Sequence, residues 1–267
     1  MAEQRSTALQ RMVLILDCFL NNSPELGVRE IARRTNLSTS ATGRLLMSMR
    51  ELGILTQNPT TKGYSIGSRI LSWAGVYSAS LDVRNVALPE LQKLHLETQE
   101  TISLYIIEGT ERVCVERFES PKNVLFVAKV GRPLPIYAGA AGKVLLAFSN
   151  PKKQKEILDQ LELQAFTPRT ITNKEALVKD LEKIKKQGYA VSNGEWTLEA
   201  AGVAAPLFEQ SGEVVAAVTI SGPAQRFTSD VIKGYVSLVV EVTARISRAL
   251  GHYPNSNTRP VNPVFTG

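Results

Sequence analysis

Residues 27–66, GVREIARRTNLSTSATGRLLMSMRELGILTQNPTTKGYSI, constrain the fold more than any other stretch, because two helical periods meet across a short break and lead into a hairpin signal. Val28, Ile31 and Ala32 share one face of a short helix that runs out near Thr35 and Asn36. Leu37 falls in the turn. Ser38 supplies a hydroxyl N-cap for a second helix whose inner face is Leu45, Leu46, Met49 and Leu52, with Gly53 just past its end. The outward face of its first turns carries Thr39, Ser40, Thr42, Gly43 and Arg44, which are short, polar or cationic and suit close approach to base edges and phosphates. Upstream, Leu9, Val13, Leu16 and Leu20 form the stripe of a bracing helix that Ser6 or Thr7 caps. Residues 54–57 and 62–66 are short strands around the turn Asn58, Pro59, Thr60, Thr61. Helix, helix, helix and hairpin predict a winged helix-turn-helix over residues 1–66. Its candidate DNA contacts are Arg5, Ser38, Thr39, Ser40, Thr42, Gly43, Arg44, Thr61 and Lys62. The competing reading is a docking or dimerisation module, since a Leu/Met stripe alone shows only a core.

Charge leans the same way. Residues 1–66 hold eight Lys/Arg against five acids, so +3 of the chain's formal +6 sits in its first quarter. Phosphate attraction of that size is strongly salt-dependent. A length of 267 residues with 43% apolar side chains suits two domains with real cores. No stretch approaches the roughly 20 apolar residues of a membrane helix. The start, MAEQRSTALQR, lacks a signal-peptide apolar region, and a cytoplasmic location is expected. Cys18 and Cys114 read as small buried hydrophobes, with no disulfide framework. His95 and His252 stand alone without ligand-spaced partners, so neither a metal nor a cofactor is expected.

After the hairpin, Ile70, Leu71, Ala74 and Tyr77 share a face of a linker helix over residues 67–81, and the closeness of Trp73 and Tyr77 calls for burial, with a second subunit as partner. A dimer also offers two recognition helices to a two-fold site. Ser80 or Asp82 caps a following helix bearing Val83, Val86, Leu91 and Leu94, with Pro89 marking a kink or restart. From Thr101 the pattern turns to strands, ISLYII, RVCVERF, NVLFVAKV and EVVAAVTISG, mixed with helices at 142–148, 151–161, 173–187 and 228–250. An α+β sensor-like domain over residues 82–251 is expected, with the last helix covering a sheet face through Val231, Tyr235, Leu238, Val242, Ile246 and Leu250. Residues 252–267, rich in proline and poor in apolar residues, are expected to be disordered.

Four blocks in order, REIARRTNLSTSATGRLLMSMRELGIL, YSIGSRIL, VGRPLPIYAGAAGKVLLA and AGVAAPLFEQSGEVVAAVTISGP, make the chain resemble the IclR family of bacterial transcription regulators over about residues 7–250. The resemblance implies a GAF-like carboxy-terminal domain that binds a small effector, often a carboxylate or aromatic acid. It also implies a homodimer or homotetramer on double-stranded operator DNA. Aligned on Gly142 and Lys143, the family's pocket positions fall on Leu134, Ala140 and Ala141. Aligned on AAP and SGP, others fall on Ser192 or Asn193, Glu195, Gly202, Thr219 and Ser221. Glu199 stands where many relatives carry glycine, and Gly202 where cysteine or serine occurs.

The residues themselves add detail. Small residues in 134–147, LPIYAGAAGKVLLA, lead into a helix, so backbone N–H groups near Gly139, Ala140, Ala141 and Gly142 are placed to hold a carboxylate, or else the glycines let the helix pack tightly. The segment is not a nucleotide P-loop, because Tyr137 replaces its first glycine and Val144 its Ser/Thr. Thr219 and Ser221 alternate on one strand face, which favours a polar ligand. Glu195 either repels a carboxylate, bonds a hydroxyl or amine, or caps local backbone, and Trp196 walls an aromatic ligand or sits in the core. The expectation is a ligand-responsive regulator and not an enzyme. A hydrolase or transferase fused to a DNA-binding module finds no GxSxG, HExxH or dinucleotide pattern. An architectural, nucleoid-type DNA-binding protein is the other alternative.

Overall fold

The computed structural model describes residues 7–20, 24–79, 82–122 and 129–253. The chain divides into two compact units, Met1–Ser80 and Leu81–Gly267.

The first unit runs α1 (Ala8–Asp17), α2 (Val28–Thr35), α3 (Thr39–Glu51), β1 (Leu55–Gln57), β2 (Tyr64–Ile66) and α4 (Arg69–Ala79). A capping box starts α1: the Thr7 hydroxyl accepts from the Gln10 N–H, and the Gln10 side chain accepts from the Thr7 N–H. Asn36, in the left-handed conformation at φ 55°, ends α2 and turns the chain into α3. Ser38 caps α3 by accepting from the Ala41 N–H at 3.2 Å. Ile15, Leu26, Ile31, Leu46, Met49, Ile54, Leu55 and Tyr64 form the core. The β1–β2 hairpin is antiparallel, pairing Leu55 with Ile66 and Gln57 with Tyr64.

The inner stripe of the first helix differs from expectation. Leu9, Val13 and Leu20 are 71%, 51% and 55% exposed, whereas Ile15 is fully buried and Met12, Leu16 and Phe19 pack beside it. The helix stops at Asp17, and tight bonds from the Cys18, Phe19 and Leu20 N–H groups three residues back carry Leu20 off the helical row, while within α1 the face centred on Ile15 packs inward in place of the Leu9–Val13 face. Met12, Ile15, Leu16 and Phe19, at the i, i+3, i+4, i+7 spacing, therefore face the core. In α4, Ile70 packs on that core, but Leu71, Trp73 and Ala74 are exposed, and the Arg69 guanidinium lies over the Trp73 ring at 5.6 Å.

The second unit holds α5 (Asp82–Thr98), β3 (Thr101–Glu108), β4 (Glu111–Phe118), β5 (Pro133–Pro135), α6 (Ala140–Phe148), α7 (Pro151–Gln160), α8 (Lys174–Gln187), β6 (Ala190–Asn193), β7 (Ala200–Phe208), β8 (Val214–Pro223) and α9 (Ser229–Ala249). Six strands form one antiparallel sheet in the order β5-β4-β3-β8-β7-β6. Alternation sends Ile102, Leu104, Val203, Ala205, Val218 and Ile220 to one face, where they meet Leu91 and Leu94 of α5 and Val236, Val239, Val242 and Ile246 of α9. The other face packs Tyr105, Cys114, Ala204 and Ala217 against Val144 and Leu145 of α6 and Leu177, Leu181 and Ile184 of α8. The helix α5 continues through Pro89 without restarting. Three strands, β5, β6 and β7, carry no strong sequence signal. The expected NVLFVAKV strand falls mostly on residues 123–128, outside the described residues, as do 254–267 of the tail.

Candidate nucleic-acid interface and effector cavity

The surface of α3 follows from its packing. Thr42, Leu46 and Met49, spaced i, i+4, i+7, point into the core, and the opposite row Ser40, Arg44 and Met47 is exposed. Thr39 and Ser38 are also exposed, and Gly43 is half-buried. Thr42 therefore departs from its expected outward placement: it is fully buried, and its hydroxyl has no hydrogen-bond partner. The threonine stands one helical turn before Leu46, so the apolar face claims it. Met47 joins the outward face without having been singled out in the sequence. The preceding helix α2 also limits its own charge. Glu30 accepts from Arg33 Nε and Nη2 and from Arg34 Nε at 2.7–3.0 Å, bonds that hold its carboxyl down to about 2.

In the wing, Asn58 accepts from the Thr60 and Thr61 N–H groups, which shapes the turn. The Thr61 hydroxyl donates to Glu25, and Lys62, at φ 60°, sits exposed at the tip. Arg50 donates to the Gln57 side chain at 2.9 Å, tying α3 to the wing. Arg5 lies outside the described residues.

In the second unit a cavity of about 100 Å³ opens between the sheet and the start of α6. That is of the order of the roughly 150 Å³ that admits benzene in an engineered core. Strand register explains its lining. Ser103 pairs with Thr219 and with Arg117, Thr101 pairs with Ser221, and Gly202 pairs with both Ser221 and Ser192, so these residues share one face. A bulge in the β3–β4 ladder leaves Val115 unpaired between Cys114 and Glu116, which reverses the alternation along β4. Arg112 and Arg117, five residues apart, consequently both reach the cavity. Gly202 keeps it open: a Cβ there would meet the Ile220 carbonyl at 3.3 Å and the Ser221 and Thr219 side chains at 3.5 Å.

Of the positions carried from sequence, Leu134, Ala140, Ala141, Ser192, Gly202, Thr219 and Ser221 line the cavity. Asn193 does not: it is exposed and accepts from Arg169 at 3.0 Å, because strand alternation turns it away from Ser192. Glu195 does not line it either. Its carboxylate accepts from the Gly139 N–H at 2.9 Å and from Lys143 Nζ at 2.6 Å, and Lys143 also meets Asp180 at 2.8 Å. The α6 amino terminus thus already holds a carboxylate, the chain's own. The tight-packing role of the glycines holds too, since a Cβ on Gly142 would lie 2.1 Å from the Ile136 carbonyl oxygen. Trp196 both walls the cavity and packs against Phe166, with ring centroids 4.3 Å apart and the planes tilted by 55°.

Tyr105, Arg112 and Arg117 were not legible as cavity residues. Their strands are, but the bulge that aims both arginines inward has no signature in RVCVERF. Burial pushes the Tyr105 hydroxyl up and the Arg112 guanidinium down, and drives the Cys114 thiol up to about 11. No group of three or more His, Cys, Asp or Glu suited to a metal occurs among the described residues. Nor is any of their helices long and apolar enough to cross a membrane.

Residues 8–59 match the family model of the IclR helix-turn-helix domain, and residues 76–248 match that of the bacterial transcriptional regulator IclR C-terminal domain. The chain belongs to the IclR family. It is 32% identical to the HTH-type transcriptional repressor AllR of Escherichia coli over 250 residues, 94% of this chain and 92% of that protein. The Thermotoga maritima IclR structure superposes with a TM-score of 0.78 at 34% identity, covering 91% of this chain and 98% of the other. An IclR homologue from Microbacterium hydrocarbonoxydans, complexed with 4-hydroxybenzoate, superposes at 0.80 with 28% identity over 91% and 99% of the two chains. The protein is accordingly an IclR-type transcription regulator with a helix-turn-helix DNA-binding domain, and not an enzyme.

Proposed function

We propose that this IclR-family chain binds a two-fold operator as a homodimer, or as two dimers joined on DNA, and that a compact organic acid in the second unit's cavity alters that binding in the cytoplasm. The carrying observation is the pairing, in one chain, of an exposed polar α3 face with a sheet-side cavity lined by hydroxyls and arginines. On the DNA side, Arg44 reads base edges or phosphate, while Thr39, Ser40 and Gly43 permit close approach. Ser38, already engaged as the cap, brings the α3 amino terminus to a phosphate. Lys62, Thr61 and Arg5 add flanking backbone contacts. On the effector side, Leu134, Ala140, Ala141 and Gly202 shape the cavity, and Ser192, Thr219 and Ser221 supply hydroxyls. Effector and operator are coupled through a difference in effector affinity between DNA-competent and incompetent states. The 4-hydroxybenzoate held by the Microbacterium homologue supports an acid as ligand.

The test is a footprint of the full-length protein upstream of its own and neighbouring genes, over a salt series with nonspecific competitor. A short two-fold protected site is expected. Arg44→Ala should weaken it at least about tenfold and lower the salt slope by about one, as loss of a phosphate or base contact does. Diffuse coverage of all sequences would instead favour the architectural reading. Unchanged affinity in the Arg44→Ala protein would refute the recognition-face assignment.

A further inference from the structure

Arg112 is 6% exposed and lines the cavity, yet it forms no ion pair among the described residues. Both of its hydrogen bonds leave from Nη1, one to the Pro135 carbonyl at 3.3 Å and one to the Ala138 carbonyl. Its Nε is buried with no acceptor at all. Among the described residues its close compensation is two carbonyl dipoles and the Tyr105 ring, 5.3 Å from the guanidinium carbon, while the Glu195 carboxylate acts on it only from beyond ion-pair distance. A buried cation that retains its charge and lacks a counter-ion is costly unless something else supplies one.

The same unit shows the arrangement that is missing. Arg226 places Nε and Nη2 on the two oxygens of Glu100 at 2.8 and 2.5 Å, a side-on fork. In Arg112 that edge has no such carboxylate. The chain's own nearby acid is committed elsewhere, because Glu195 closes the α6 amino terminus through Gly139 and Lys143. The Thr219 hydroxyl, which belongs to another residue lining the same cavity, is likewise buried without a partner.

Resting on the effector reading above, we infer that Arg112 is the counter-ion for a monocarboxylate effector, with Thr219 as a second donor, and that Glu195 withholds the Gly139 N–H from the ligand. A planar fork selects a carboxylate over a neutral amide, and the negative charge of Glu195 across the wall disfavours dianions such as phosphate. The small and apolar walls at Leu134, Ala140 and Ala141 take the ligand's carbon skeleton.

The experiment measures thermal stabilisation of the full-length protein by propionate, benzoate and 4-hydroxybenzoate, each set against its amide, and by inorganic phosphate. At least one acid should stabilise the protein, its amide should bind about tenfold or more weakly, and phosphate should not compete. The Arg112→Gln protein should lose the acid's advantage over the amide, and Arg112→Lys should keep part of it. If Arg112→Gln does not melt cooperatively, the acid–amide contrast in the unaltered protein and the Arg112→Lys result decide. Amides as effective as acids, no stabilisation by any acid, phosphate binding as well as the acids, or a larger loss in Arg117→Gln than in Arg112→Gln would each overturn the assignment. A footprint that a neutral compound releases would leave the effector reading standing and remove only this one. Acid binding that depends on Arg112 but never changes the footprint would do the reverse.

Discussion

Thr42 shows how one residue can be placed wrongly by a pattern that is otherwise right. Its neighbours Thr39, Ser40 and Arg44 face out as their polarity suggests, and a threonine among them reads as one more polar contact. Position decides otherwise, because Thr42 precedes Leu46 by one turn and Met49 by two, and its methyl completes the apolar row. The hydroxyl is left buried and unpaired. Thr42→Val, which keeps the shape and removes that hydroxyl, should hold or raise stability by up to about 1 kcal/mol and leave operator affinity unchanged. Thermal melts and the footprint check both, and a tenfold loss of affinity would mean that the hydroxyl reaches DNA. Glu195 is the second such case. Its type allowed repulsion, ligand bonding or capping, and the contacts to Gly139 and Lys143 select capping.

At the scale of elements, α6 depends on glycine for a steric reason and not for flexibility. Gly142 packs its Cα against the Ile136 carbonyl, where an added Cβ would stand 2.1 Å from the oxygen and 2.9 Å from Arg112 Nη1. Gly142→Ala should therefore destabilise the second unit by about 2 kcal/mol or more even though alanine is the better helix former, and urea denaturation would show it. A stabilised Gly142→Ala protein would mean that the start of α6 can shift. Helices in this chain were legible because caps and 3.6-residue periods are local: Ser38, Asn150 and Asn173 each accept from the backbone N–H three residues on. The strands β6 and β7 were not. AAGVAAPLF lacks β-branched runs and contains Pro206, and it becomes a strand because β8 pairs it throughout while β6 flanks only Ala201 to Ala204. Pro206 lies beyond that flank, where one edge of β7 needs no ladder donor.

For the whole molecule, two units with separate cores imply separable folding. Every residue of the second unit's two buried clusters lies between Ala87 and Ile246. Residues 82–253 alone should melt in a single cooperative transition while giving no footprint, and a fragment without a transition would show that its cores depend on the first unit. The sequence by itself determined the family, the winged helix-turn-helix, the α+β class and seven of the sixteen cavity positions, because caps, periodicity and short motifs are encoded within a few residues of one another. Only the tertiary structure decided which way Met12 and Leu9 turn, that Glu195 fills the α6 amino terminus, and that Arg112 and Arg117 share a cavity. Those facts arise from which face of α1 packs on the first core, from a contact 56 residues long in sequence, and from one unpaired residue in a strand ladder. Each depends on partners that no local pattern names.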